Sequence, residues 1–92
     1  MPARQCIHYL VSGRVQGVFY RASARDAAQC LGLTGWVRNT PQAKVELIAC
    51  GDTASLHEFE TWLWQGPDQA QVTTVVKSVA AFADFSGFDI QD

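Results

Sequence analysis

The sequence is short of charge, contains no basic stripe, no long apolar run, and no cysteine pair at a metal-binding spacing. Each shortage closes a class of function. Nucleic-acid binding draws most of its affinity from neutralised phosphates and released counterions, which needs a clustered positive surface. Here 7 Lys and Arg stand against 9 Asp and Glu, the net charge is -2, and nothing clusters, so no nucleic-acid partner is expected. A bilayer span needs about 20 consecutive apolar residues. No stretch comes close, and residues 1–8 carry no apolar signal-peptide core, so a cytoplasmic protein without a membrane partner is expected. Cys6, Cys30 and Cys50 have neither zinc nor thioredoxin spacing, and an odd number is a poor disulfide framework. Reduced thiols are the simplest state in that compartment. A small anion stays open as a ligand, because it needs only one or two local cations and some backbone N–H groups.

What is present is 92 residues, 48% hydrophobic and 17% charged, without repeat, low-complexity tract or linker. One domain over residues 1–92 is expected, large enough to bury a core. Residues 6–11 alternate as a strand, with Ile7, Tyr9 and Val11 on one face. A loop, Ser12-Gly-Arg-Val-Gln-Gly17, follows. Residues 19–31 turn helical: Tyr20, Ala24, Ala27, Ala28 and Leu31 fall on one stripe, and Gly32 stands where a left-handed C-cap belongs. Residues 35–40 and 44–50 read as a hairpin around Pro41-Gln42-Ala43. Asp52 or Thr53 can cap a second helix, Ser55 and Glu58 have capping-box spacing, and Leu56, Phe59 and Leu63 form the apolar stripe. Gly66-Pro67 ends that helix; residues 72–82 and 88–90 read as strands. The order is α+β, a ferredoxin-like β-α-β-β-α-β sandwich. Two helices would cover one face of an antiparallel sheet, with a short C-terminal strand added. Fold alone chooses no function.

Chemistry concentrates in Gly13-Arg-Val-Gln-Gly-Val-Phe-Tyr-Arg21. Glycines let backbone approach a ligand, successive N–H groups can form an anion-binding nest, and the helix that follows adds its positive dipole end. Arg21 in the first turn opposes that dipole unless an anion is present. Two solvated arginines beside an ordinary connection would carry the same residues. Asn39 closes the second strand; if the first two strands point the same way, it faces this loop. Its amide, donor and acceptor at once, can hold a water in fixed orientation. Asparagine also opens turns, and Pro41 follows closely.

Together these stretches resemble the acylphosphatase family, whose signatures are Gly-x-Val-Gln-Gly-Val-x-aromatic-Arg and a later Gly-Leu-x-Gly-Trp-Val-x-Asn. Here they stand as Gly13 to Arg21 and Gly32-Leu-Thr-Gly-Trp-Val-Arg-Asn39, with the resemblance continuing through Gly51-Asp52 and Gly87-Phe88-Asp-Ile90. The resemblance implies hydrolysis of an acyl phosphate to carboxylate and inorganic phosphate. It implies a phosphoryl group held by backbone N–H groups of Val15, Gln16, Gly17, Val18, Phe19 and Tyr20, clamped by Arg21, with the attacking water set by Asn39. No metal, cofactor or covalent enzyme intermediate is expected, nor more than a monomer. Where relatives often place a glycine in the hairpin, this chain has Gln42-Ala43, which bears on the turn.

The alternative is an anion-binding or regulatory module of the same fold that holds its ligand without turnover. A ferredoxin-like RNA binder lacks its aromatic and basic strand signature here, and the acylphosphatase-like domain of larger carbamoyl-phosphate enzymes would need further domains. His8 and His57 have no carboxylate at a catalytic spacing, and Trp36, Trp62 and Trp64 read as core or edge packing. Cys6 and Cys50 alternate onto the open face, where antiparallel first and third strands would bring them together, so a disulfide between them competes with the reduced state.

Overall fold

The structure, a computed structural model, describes residues 4–91. Alternation decides where its core lies. In β1 (Arg4–Arg14), Ile7, Tyr9 and Val11 are buried in the core, while His8 and Leu10 are half-buried on the opposite face. β3 (Val45–Asp52) repeats this with Val45, Leu47 and Ala49, and β2 (Thr34–Asn39) adds Val37. α1 (Tyr20–Cys30) turns Tyr20, Ala24 and Ala28 to the sheet, and α2 (Thr53–Gln65) turns Leu56, Phe59 and Leu63, the stripes a 3.6-residue period produces. Phe59 sits centrally, its ring 6.0 Å from those of Tyr9 and Phe88 and 6.2 Å from Trp62. Burying a side chain of this kind contributes about 1.5–3 kcal/mol. Trp62 therefore packs as expected. Trp64 does not: at 48% exposed it points away from the core.

With β4 (Gln71–Ala80) and β5 (Phe88–Gln91), the sheet order is β4-β1-β3-β2-β5. β1 runs antiparallel to β3 and β4, and β2 runs antiparallel to β3, so β1 and β2 point the same way. These four strands form the expected antiparallel sheet, and the short C-terminal strand, whose direction the sequence leaves open, joins it as β5 parallel to β2. The reason is geometric. β4 finishes at the end of the sheet where β2 starts, residues 81–87 cross to the far edge, and the chain re-enters alongside β2 in the same direction. The sheet is mixed.

The helix ends are specified locally. Gly32 at φ 72 allows a paired termination of α1, with Gly32 N–H donating to Gln29 O and Leu33 N–H to Ala28 O. α2 is capped by Asp52, whose carboxylate accepts from Ser55 N–H at 2.8 Å, rather than by a Ser55–Glu58 box. Cys6 and Cys50 are register partners on the face away from the helices, and their sulfurs are bonded. Three reduced thiols therefore do not describe this structure, and Cys30 alone is free, exposed on α1. Sheet register brought the pair together, which compartment arguments could not see. Among the described residues no helix is long and apolar enough to cross a membrane.

Candidate active site

β1 ends in a bulge between Ser12 and Gly13, where the register against β4 shifts. Gly13 has φ 125, and a Cβ there would run into the Gln71 carbonyl oxygen. Past the bulge, the loop to α1 is pinned by Val15 and Val18, both buried in the core cluster. Between and beyond them, Gly17 (φ 74) and Phe19 (φ 63) are left-handed, while Val18 is not. Alternating handedness turns successive N–H groups toward a common side, the geometry of an anion nest. Phe19 is the N-cap of α1, and no side chain caps the helix among the described residues. No side-chain cap therefore competes with solvent or an external anion for the donors at the helix start.

Two side chains fix this loop through three hydrogen bonds. The Gln16 side-chain amide donates to Thr40 O at 3.0 Å and Lys44 O at 2.9 Å, tying the loop to the β2–β3 hairpin. The buried Tyr20 hydroxyl donates to Leu63 O at 2.7 Å, anchoring the start of α1 to the end of α2. Burial pushes the Tyr20 phenol well above its ordinary range, so it stays protonated and structural. Gln16, Val18 and Tyr20 can thus serve an anion through their backbones while their side chains are engaged elsewhere.

Arg21 and Asn39 line one concavity of about 310 Å³, together with Val15, Gly17, Phe19 and Tyr20. Asn39 shares its face of β2 with Gly35 and Val37, and its Oδ1 is buried without a hydrogen-bond partner. A buried acceptor left open costs free energy unless something donates to it. Arg21, Asn39 and the loop residues Val15, Gly17, Phe19 and Tyr20 thus border one hollow with room for a small anion and a water.

A family model for acylphosphatases matches residues 7–90. The chain belongs to the acylphosphatase family. An acylphosphatase of Coxiella burnetii (strain RSA 493) is 48% identical over 86 residues, 94% of this chain and 90% of the relative. One of Methylococcus capsulatus is 49% identical over 85 residues, 91% of this chain and 92% of the relative. A solved acylphosphatase structure from Bacillus subtilis superposes with a TM-score of 0.93 at 27% identity, covering 98% of this chain and 100% of that one.

Within this acylphosphatase fold, Ala22 and Ile90 also line the concavity, and neither was singled out from the sequence. Ile90 arrives there because β5 pairs with β2, Ile90 opposite Val37. The alternating Phe88 and Ile90 were the available signal. His8 was read as having no carboxylate partner, yet its Nε2 lies 2.6 Å from Glu46 Oε2, and Arg38 Nε donates to Glu46 Oε1 at 2.7 Å. This cluster occupies the open face, where β1, β2 and β3 run side by side. Sequence spacing cannot reveal it, because Glu46 opposes Leu10 and Arg38 only through sheet register. Among the described residues no three His, Cys, Asp or Glu side chains gather as a cation site.

Proposed function

We infer that this chain hydrolyses acyl phosphates to a carboxylate and inorganic phosphate. The meeting of Arg21 and Asn39 on one concavity, beside the nest of residues 15–19, carries the reading. A phosphoryl-transfer transition state spreads negative charge over its equatorial oxygens, so positioning and electrostatics do most of the work. Backbone N–H groups of residues 15–20 donate to those oxygens. The planar guanidinium of Arg21 spans two of them, a geometry lysine cannot reproduce. Asn39 Oδ1 accepts a hydrogen bond from the attacking water and aims its lone pair at phosphorus.

Asparagine cannot take a proton near neutral pH. The water's proton therefore passes to a phosphoryl oxygen of the substrate as the new P–O bond forms and the bond to the acyl oxygen breaks. The leaving carboxylate is stable as an anion and needs no general acid. A monomer completes the proposal, since every group invoked comes from one chain; a cytoplasmic location does too. The Cys6–Cys50 bond pulls against that location, because disulfides persist in oxidising compartments.

Benzoyl phosphate hydrolysis followed with excess EDTA tests the reading. Turnover that survives chelation and is competitively inhibited by phosphate supports it. Phosphate binding without turnover points instead to a module that only holds its anion.

A further inference from the structure

Phe19 is the anomaly of the loop. It adopts φ 63, a region any residue with a Cβ enters at a cost, and one where glycine would serve the nest equally well. Burial does not explain its choice, because Phe19 is 82% exposed. Nor is its conformation loose: Ser23 N–H donates to Phe19 O at 3.0 Å, locking the residue into the first turn of α1. A large aromatic side chain is thus carried on a fixed, strained backbone and faces solvent on the rim of the concavity. The nest requires a left-handed backbone here, but neither it nor the core requires a phenyl ring, and strain kept for a side chain points to use.

We propose that Phe19 determines acyl-group specificity, its ring packing against a planar aromatic acyl group while the phosphoryl end sits in the nest. The proposal rests on the acyl phosphate hydrolysis inferred above and assigns the half of the substrate that mechanism leaves unread. The polar lining is engaged by phosphoryl oxygens and water: Gly17 with its neighbours' N–H groups, Arg21 and Asn39. What remains is apolar: the buried side chains of Val15 and Tyr20 below, and Phe19, Ala22 and Ile90 toward the rim. Such a rim favours a phenyl over a methyl substituent, both by apolar contact and by offset or edge-to-face ring packing.

The test compares kcat/KM for benzoyl phosphate with that for acetyl phosphate, in the unsubstituted protein, Phe19→Ala and Phe19→Leu. A ratio cancels any general damage to the loop, which lowers both substrates together. The unsubstituted protein should favour benzoyl phosphate; Phe19→Ala should lower the ratio about 5- to 10-fold, the scale of one aromatic contact, and Phe19→Leu should fall between. If a variant turns over too slowly, relative binding of benzoylphosphonate and acetylphosphonate, measured by calorimetry, reads the same contact. An unchanged ratio in Phe19→Ala overturns the role of Phe19 and leaves hydrolysis standing. Failure of the unsubstituted protein to hydrolyse either substrate overturns both.

Discussion

Ala43 occupies a left-handed position, φ 64, in the hairpin turn where Thr40 N–H donates to Lys44 O at 2.9 Å. Unlike Phe19 it lines no part of the concavity. Replacement by glycine removes the steric penalty, partly offset by the greater freedom of glycine in the unfolded chain. Ala43→Gly should therefore stabilise the protein by about 1 kcal/mol. In a domain of this size that raises Tm by about 4–8 °C, checked by thermal unfolding, with catalysis little altered. The missing hairpin glycine was legible as a departure. Its conformational consequence was not, because φ is set by how the two strands meet. Asn39 was readable as to place, at the end of β2, but not as the buried, unsatisfied acceptor it is, since that depends on every neighbour at once.

Among the elements, both helices and the hairpin could be read from periodicity and breakers within a residue or two of their bounds, while the first strand, read as residues 6–11, extends over Arg4–Arg14. Short alternating runs are weaker signals. β5 was legible as a strand but not as a parallel one, since direction follows from where residues 81–87 deliver the chain. Coupling between elements was invisible too. Gln16 joins the loop to the hairpin by two hydrogen bonds to carbonyls that flank the turn. Gln16→Ala leaves both carbonyls without that partner and lets the loop drift from β2. Loss of about 1–3 kcal/mol in denaturant unfolding is expected. A fall in kcat/KM should accompany it, because Asn39 and the nest are then no longer held in register.

For the whole molecule, acid is the condition that strains it. The His8 hydrogen bond, opposed by some burial and reinforced by Arg38, holds the Glu46 carboxyl below its usual range. The Ser55 N–H bond does the same for Asp52 at the start of α2. A carboxyl whose pKa is lower folded than unfolded adds stability that is fully present above its unfolded pKa. That stability is lost as pH falls through the folded value. Tm should thus be level near neutrality and decline below about pH 4, the ordinary carboxylate range. Glu46→Gln should flatten the decline. A variant whose Tm falls as steeply as the parent's would show that the open-face cluster contributes nothing to acid sensitivity.

The central claim is that residues 21 and 39 act on one substrate in different ways. Steady-state kinetics of Asn39→Ala with phosphate as inhibitor, set beside Arg21→Ala, measures that division directly. Asn39→Ala should lower kcat about 10²-fold or more, on the scale of losing one precisely aimed polar group, while phosphate still inhibits at a similar concentration; Arg21→Ala should lose phosphate inhibition as well as turnover. Near-normal kcat in Asn39→Ala, or collapse of its phosphate affinity, would contradict the account.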